Sequence, residues 1–486
     1  YAIGFNDGAR GQENTYWMAG STFADLLMAL PAITWIGLGE GDYMPLRRNA
    51  FSIYIQDEWK AMPRLTLTLG LRYDYEAPFS AANHQFMTLN FETGLPRYAK
   101  GAPPEKLAKL RFPYETGGPN RPYEPSTKNF APRVGFAFRP FSGARTVIRA
   151  GYGLFYTSET AYTTTYGAWV VPFGGLVTWY ARRNFWPDRQ DRLTTLDLAP
   201  KDLDYVIGRS PGYFQANAPY YPTGYLQQWN LTIGQDIGWR TAVEIAYVGS
   251  KGTNLNGQGS LLYYAPDVLN KIAQAIPGWS LGLRMKGFNS KYNSLQVKVR
   301  KDLSHGLNFL AAYTWSHALA EASNDATAEN LLADPTDVFY VIKRRWSDAD
   351  FDVRQRLSVS GSYRLPFGRN RVFGSAWPGW LDGVLGGWRV SYILTFQGGY
   401  PFTVYDSRLR FPDRVCDGRL PKDQRTPDRW FDYTCFPTHQ STFITLPGGT
   451  RKEVNIHGNA PPNVIRGPGI NNWDLGLLKD FRLTES

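Results

Sequence analysis

Hydrophobic and polar residues alternate strictly from Leu65 to Glu76. The segment reads LTLTLGLRYDYE, so leucines and tyrosines occupy one face while threonines, glycine and charged residues occupy the other. A period of two over this length predicts one long β-strand. Ordinary soluble strands have about five or six residues, whereas a tilted strand needs about 9 to 11 to cross a bilayer. The segment is therefore long enough to span a membrane.

The same alternation recurs in pairs of strands joined by short turns. Connections of about 35 to 70 residues separate the pairs, and a helical turn is predicted near residues 380–385. Soluble domains rarely hold several loops longer than about 15 residues, whereas transmembrane barrels alternate short periplasmic turns with long extracellular loops. The pattern predicts an all-β fold, an antiparallel transmembrane barrel with about eleven strands in this chain. The predicted pairs cover about residues 49–76, 134–156, 227–249, 292–317 and 354–404, and a last strand covers about 472–483.

Aromatic residues indicate which strand ends face outward. Tyrosine and tryptophan collect where hydrocarbon meets headgroups, and the short turns belong to the periplasmic side. The ends expected at the outer interface carry Tyr73, Tyr75, Tyr156, Tyr313 and Trp315.

Residues 1–48 are predicted to form a loop or connector that precedes the barrel, with a short helix at about residues 23–30. The weakly polar run at residues 26–39 contains Pro31 and is shorter than the roughly 18 residues that a transmembrane helix needs. We also do not expect a signal peptide there, because Asp25 precedes the run and no basic segment is present.

The charge of the chain is basic, with a formal net value of +11. The lysines and arginines are dispersed along the sequence, so nucleic-acid binding is not predicted. A basic rim suits a membrane whose outer leaflet carries anionic lipopolysaccharide. Charged residues on the polar faces of the strands are candidates for the barrel lumen, namely Arg72, Asp74, Glu76, Arg149, Glu244, Lys298, Arg300, Arg356 and Arg364.

Enzyme chemistry finds little support in the sequence. The five histidines are scattered, and no metal-ligand spacing, Gly-x-Ser-x-Gly motif or phosphate-binding loop occurs. No cofactor is predicted. Asp348, Asp350 and Asp352 alternate and are weak candidates for a cation site. The favoured interpretation is that they are solvated acids beside Arg354 and Arg356, so no bound metal is predicted.

Six aromatic residues in the loops are candidates for ligand contact, although packing of the loops against one another is the favoured alternative. They are Trp169, Trp179, Tyr180, Trp186, Tyr220 and Tyr221.

The two cysteines, Cys416 and Cys435, both fall in the last long loop. Loops of this kind mature in an oxidising compartment, so a disulfide is favoured over free thiols.

Six segments in order resemble the TonB-dependent outer-membrane receptors, in particular the Oar-like group with very large barrels. The similarity covers nearly the whole chain from about residue 45. The segments are residues 55–60 (IQDEWK), 65–73 (LTLTLGLRY), 129–136 (NFAPRVGF), 247–253 (YVGSKGT), 313–317 (YTWSH) and 474–481 (DLGLLKDF).

This resemblance implies a barrel of about 22 strands, a plug domain and a segment that binds the TonB complex. Neither the plug domain nor the TonB-binding segment is visible. We therefore expect a C-terminal barrel portion of a longer receptor, truncated at both ends, whose TonB contact lies in a missing N-terminal region. The resemblance also implies a location in the bacterial outer membrane, in contact with its lipid and lipopolysaccharide.

The implied function is import of a scarce or bulky nutrient, such as a carbohydrate, peptide or metal chelate, using TonB and the proton-motive force. The ligand is not readable from the loops. Two alternatives stay open at this point, a passive porin and a surface adhesion or assembly barrel.

Overall fold

A computed structural model describes most of the chain between residues 45 and 481. The described residues are 2–4, 33–38, 45–143, 145–161, 167, 170–173, 175–180, 214–259, 266–276, 279, 281–321, 346–369, 371–406, 411–445, 451–454 and 458–481. The helix expected at about 23–30 lies outside them. In the described part of the chain, no helix is long and apolar enough to cross a membrane.

One antiparallel sheet dominates the structure, and its long strands neighbour one another in chain order. This up-and-down arrangement confirms the predicted fold class and the expected number of strands. The long strands are β1 (Ala50–Met62), β2 (Leu65–Glu76), β3 (Phe130–Phe138), β4 (Thr146–Tyr156), β5 (Tyr225–Gly238), β6 (Thr241–Gly259), β7 (Leu281–Ser304), β8 (Leu307–Ala320), β9 (Gln355–Arg364), β10 (Trp388–Gln397) and β11 (Ile470–Lys479).

Shorter elements lie in the connections. Phe214–Asn217 pairs in parallel with β7, and Ser347–Asp348 pairs with β8. Other short strand pairings join Ile33–Leu38 with Ala2–Gly4 and Gly175–Tyr180, Leu46–Arg47 with Ser80–Ala81, Pro96–Ala99 with Met87–Leu89 and Glu115–Gly118, Pro401–Phe402 with Ile465–Arg466, and Thr442–Thr445 with Arg451–Val454. Among the described residues, the helices are α1 (Pro104–Leu107), α2 (Pro266–Ala275) and α3 (Gly379–Leu385), with 3₁₀ turns at Lys422–Gln424 and Tyr433–Cys435. The first 48 residues thus contain strand as well as loop.

The turn between β7 and β8 shows how the sequence sets the short connections. Ser304 pairs with Leu307, which leaves His305 and Gly306 as a two-residue loop. Both have positive φ, 52° and 81°. This geometry matches the right-handed twist of the flanking strands, and glycine adopts it at little cost.

Cross-strand register assembles one continuous apolar face. Leu69 of β2 opposes Val134 of β3, which opposes Tyr152 of β4, which opposes Trp229 of β5. Leu69 is 51% exposed and Val134 is 48% exposed, so about half of the surface of each is open. An extensive uncovered apolar face of long strands is typical of contact with a bilayer.

Aromatic rings gather at the outer end of this face. Tyr73 lies 5.0 Å from Phe130 and Tyr75 lies 5.3 Å from Phe51, measured between ring centroids. These rings belong to three neighbouring strands, so they form part of an interface belt.

Two strands extend far beyond their predicted ends. β6 has 19 residues and β7 has 24, whereas the sequence predicts an end near residue 249 and a start near residue 292. Consecutive residues of the extension, Leu283 to Lys286, are all buried. Burial on both faces removes the alternation by which a strand is recognised, so the prediction is wrong about these ends.

The main hydrophobic core lies among the loops at the outer end of the sheet. Helix α2 contributes Val268 and Ile272, and Ile276 follows its last residue; their spacing of four places them on one side. Other members come from several connections and include Met87, Tyr98, Phe112, Val170, Val171, Phe214, Trp279, Leu283 and Phe288. We call this set the loop core. It shows that the long loops fold together over the barrel wall.

Candidate functional site

The polar face of the sheet carries the charged residues that the sequence predicts for the lumen. Glu244 opposes Lys298 across β6 and β7, and its Oε2 lies 3.6 Å from the lysine Nζ. Arg356 opposes Thr314, which in turn opposes Gln296. Following the register from strand to strand places all nine candidates on this one face, opposite the apolar face.

A cavity of about 390 Å³ opens at the outer end of the polar face. We call it the mouth pocket. Its wall combines the ends of β1, β2 and β4 with loop residues and the extension of β7. Its charged lining residues are Arg72, Asp74, Glu76, Arg133, Glu159 and Lys286, and its aromatic lining includes Tyr123, Phe155, Tyr156 and Tyr221.

The strand carboxylates in the mouth pocket are held by arginines. Arg72 donates from Nε to Asp74 at 2.7 Å and from Nη2 to Ser52 at 2.8 Å. Arg48 forms an ion pair with Glu76 and also donates to the Glu159 carbonyl oxygen at 3.0 Å. These contacts fix the carboxylates against the wall.

Lys286 connects the pocket to the loop core. Its side chain is buried and forms an ion pair with Glu159. The lysine Nζ also lies 5.1 Å from the centre of the Tyr221 ring, close enough for a cation–π interaction. A charge that is buried in this way needs both partners, so the pocket floor is a fixed structure.

Two stacked tyrosines line the same region. Tyr221 stacks on Tyr123 at 4.6 Å between centroids, and its hydroxyl donates to Asn256 Oδ1 at 2.6 Å. Burial and the nearby carboxylates of Glu159 and Glu76 raise the pKa of Tyr123. Its hydroxyl therefore resists deprotonation and can serve as a hydrogen-bond donor.

Arg133 is a pocket residue that the sequence does not single out. Its register partners on the same face are Gly70 and Gly153, which leave space beside it. Its guanidinium lies 4.7 Å from the centre of the Phe155 ring, and in the described residues its buried Nε has no hydrogen-bond partner. The sequence signal that could have indicated Arg133 is its position on the polar face of β3, two residues before Gly135. The pocket can thus bind polar and aromatic groups of a ligand.

The loop aromatic candidates have different positions. Tyr221 is 8% exposed and lines the mouth pocket, while Tyr220 is 74% exposed. Trp179 and Tyr180 belong to the strand Gly175–Tyr180, which pairs with Ile33–Leu38. Trp169 and Trp186 lie outside the described residues. The structure thus brings Tyr221 to the pocket.

The expectation of solvated acids at residues 348–352 is wrong. Asp352 is 1% exposed, and both Asp348 and Asp352 form ion pairs with Arg354 and Arg466. Asp348 ends the short strand Ser347–Asp348, and the residues after it form a turn, closed by a hydrogen bond from the Asp352 amide to the Ala349 carbonyl at 2.8 Å. We call these four charged residues the ion-pair cluster.

The ion-pair cluster also bears on the weak cation hypothesis. His317, Asp348 and Asp352 offer ligand atoms within 4.8 Å of one another. The His317 Nε2 lies 2.8 Å from Asp348 Oδ1. Asp350 instead accepts from Asn463 Nδ2 at 2.6 Å. Because two guanidinium groups already neutralise Asp348 and Asp352, a cation would have to displace them.

Asp348 has a lowered pKa within this cluster. Burial acts to raise it, but hydrogen bonds from His317, Arg466 and Arg354 outweigh the burial and hold the pKa below the ordinary value of 3.8. Asp348 lies beyond Trp315, on the extracellular side of the membrane-spanning part of β8.

Cys416 and Cys435 are joined in a disulfide, with their Cα atoms 4.9 Å apart. Cys435 is buried in a small core with Phe436, Ala460 and Ile465. We call residues 401–406, 411–445 and 458–469 the disulfide module. The pairing of Pro401–Phe402 with Ile465–Arg466 joins its two ends, and the ion pairs of Arg466 with Asp348 and Asp352 attach it to the barrel.

These features define an outer-membrane β-barrel protein. A family model described as "Outer membrane beta barrel domain" matches residues 2–486, and the chain belongs to this family. The match confirms the predicted fold class and the predicted location in the outer membrane, and it places the chain among barrels rather than enzymes. No curated protein matches the chain.

Solved structures with a similar fold include outer-membrane receptors and transporters. The ferripyoverdine receptor of Pseudomonas aeruginosa is 12% identical, and the match covers 76% of this chain and 31% of that one with a TM-score of 0.39. The transporter YddB of Escherichia coli is 11% identical, and the match covers 88% of this chain and 38% of that one with a TM-score of 0.39. The iron transporter FrpB of Neisseria meningitidis is 11% identical, and the match covers 76% of this chain and 36% of that one with a TM-score of 0.38. The chain thus spans about a third of the length of these structures.

Proposed function

We propose that this chain is part of a TonB-dependent receptor that imports a scarce or bulky nutrient across the outer membrane, driven by TonB and the proton-motive force. The nutrient is a carbohydrate, a peptide or a metal chelate. The nine charged residues of the polar face would line the lumen, and the TonB contact would belong to the whole receptor.

The mouth pocket is the observation that carries this proposal. It places fixed charges and stacked aromatic rings at the outer end of the polar face, where a ligand would arrive. Buried Lys286 holds the pocket to the loop core through Glu159 and Tyr221. A passive porin needs a wide aqueous opening rather than a preorganised pocket, so these contacts favour capture before transport.

Uptake in cells tests the proposal. A deletion strain is complemented with the natural gene, with Tyr221→Ala, or with the control Tyr220→Ala, whose side chain is exposed. Depletion of medium components is followed by mass spectrometry, with and without functional TonB. We expect cells with the natural gene or the control to deplete one compound. Cells with Tyr221→Ala should deplete it to less than about a tenth of that extent, and cells without TonB should not deplete it.

The two other functions give different results in the same experiment. Depletion that persists without TonB would indicate a passive porin. Equal depletion with and without the gene would indicate a surface adhesion or assembly role, and either result would overturn the proposal.

A further inference from the structure

A second cavity, of about 530 Å³, lies between the barrel wall and the disulfide module. Its barrel side is formed by Trp315 near the end of β8. Trp315 opposes Leu295 and Gln355, so it lies on the apolar face, and it is 58% exposed. Exposed tryptophans at this position are typical of the boundary between hydrocarbon and headgroups. The cavity therefore opens where the outer leaflet meets the protein.

The lining of this cavity is rich in arginine, and we call it the basic pocket. It contains Arg354, Arg419, Arg425 and Arg466, with Asp348 as the acidic lining residue. Its remaining walls are mainly apolar and include Trp430 and Phe431.

The carboxylates do not neutralise every arginine of the basic pocket. Arg354 and Arg466 share Asp348 and Asp352, as described above. Arg419 lies 3.5 Å from Asp417, in a pair whose side chains are 67% and 59% exposed. Such an exposed pair is weak, so Arg419 is available to another anion.

Arg425 has no carboxylate partner among the described residues. Its Nε donates to the Leu420 carbonyl oxygen at 2.8 Å, and its guanidinium carbon lies 5.7 Å from the centre of the Trp430 ring. These two contacts hold the side chain in place and leave its terminal nitrogens as donors.

We propose that the basic pocket binds a phosphate group of an outer-leaflet glycolipid. Guanidinium groups bind phosphate oxygens through paired, charge-assisted hydrogen bonds, which suits Arg419 and Arg425. Trp315 and Trp430 supply surfaces for the sugar or acyl part of the same lipid. The site is separate from the mouth pocket and independent of transport.

The surroundings make the basic pocket a preorganised site. The disulfide between Cys416 and Cys435 and the core around Phe436 fix the segment that carries Arg419 and Arg425. A rigid site loses less entropy on binding. A lipid phosphate fits better than a free phosphate ion because Trp315 belongs to the lipid-facing surface.

Binding of defined lipids to the purified, detergent-solubilised chain tests this proposal. The probes are diphosphorylated lipid A, dephosphorylated lipid A and inorganic phosphate, and bound lipid is counted by native mass spectrometry over a concentration series. The test variant is Arg419→Gln with Arg425→Gln. The control is Arg139→Gln, an exposed arginine just after β3 at the opposite end of the barrel.

We expect diphosphorylated lipid A to bind at least about tenfold more weakly to the double glutamine variant, because each lost charge-assisted hydrogen bond weakens binding on this scale. The Arg139→Gln control should bind like the natural chain. The variant Arg419→Lys with Arg425→Lys should recover part of the affinity and shows that a loss reflects charge rather than misfolding.

Three results would overturn the proposal. They are undiminished binding by the double glutamine variant, equal binding of the dephosphorylated lipid, and an affinity for inorganic phosphate as high as that for the lipid. The last result would assign the site to a soluble phosphate instead.

Discussion

Asp352 is a carboxylate with almost no contact with solvent. It accepts a hydrogen bond from the Ala318 amide at 2.5 Å and forms ion pairs with Arg354 and Arg466. Removing one member of a buried ion pair leaves the other charge uncompensated, which costs about 3 to 5 kcal/mol. Asp352→Asn should therefore speed hydrogen exchange of the Ala318 amide by about 100-fold or more.

Asp302→Asn is the matched control for that substitution. Asp302 pairs with Arg300 at 3.5 Å, and both side chains are more than 60% exposed. An exposed pair of this kind contributes about 1 kcal/mol or less. Similar exchange in the two variants would show that burial of Asp352 is not what holds this turn.

Acid should open the ion-pair cluster through Asp348. Its pKa is lower in the folded protein than in the unfolded chain, so its stabilising contribution is present above pH 3.8 and is lost as the pH falls through the lower folded value. The difference in thermal unfolding midpoint between the natural chain and Asp348→Asn should stay constant from pH 7 to 5. It should shrink as the pH falls below 3.8, and a difference that stays constant there would contradict the assignment.

The sequence predicts individual residues only where few partners are available. The two cysteines leave one intramolecular pairing, which the structure contains. Arg466 is 118 residues from Asp348, and nothing local indicates that a loop before β11 returns to the end of β8. Arg133 is not predictable for a related reason, since its place in the pocket depends on the space that Gly70 and Gly153 of the two neighbouring strands leave beside it.

Strand β2 permits a direct test of the two faces of the sheet. Leu69 lies near the middle of the strand on the apolar face, and Thr68 lies beside it on the polar face. A charged residue at the bilayer midplane costs about 2 to 4 kcal/mol. Leu69→Arg should lower the free energy of unfolding in lipid vesicles by this amount, while Thr68→Arg changes it by less than about 1 kcal/mol. Urea titration measures both, and equal losses would contradict the assignment of the faces.

Strands are predictable from the sequence where one face meets lipid and the other meets water. The predicted limits of β2 agree with the observed Leu65–Glu76. The extension of β7 is different, because Leu283 and Met285 pack in the loop core while Arg284 and Lys286 on the opposite side are buried as well. Local alternation carries no information about such a segment, since its environment is supplied by distant loops.

The orientation of the whole barrel is also testable. Trp239 is 84% exposed in the short turn between β5 and β6, and Tyr220 is 74% exposed in a long loop. With short turns in the periplasm, Tyr220→Cys should react with a membrane-impermeant maleimide on intact cells. Trp239→Cys should react only after the outer membrane is permeabilised. The native cysteines are joined and give no background. Labelling in the reverse order would invert the assignment.

At the scale of the molecule, the sequence predicts the wall of the barrel better than the structure of the loops above it. Alternation, loop lengths and six short segments are enough for the architecture. The loop core, the mouth pocket and the basic pocket each depend on contacts between connections that are distant in sequence, so they appear only in three dimensions.

The unbroken course of β7 has a mechanical consequence. One strand carries Lys298 on the wall of the barrel and Lys286 in the floor of the mouth pocket, and β6 remains hydrogen-bonded to it along most of that length. The ladder between them shifts register between Gly252 and Asn256, and irregularities of this kind bend a strand pair. A movement of the mouth pocket relative to the wall would therefore be concentrated at residues 252–256, while the regular ladder from Thr241 to Gly252 stays with the wall.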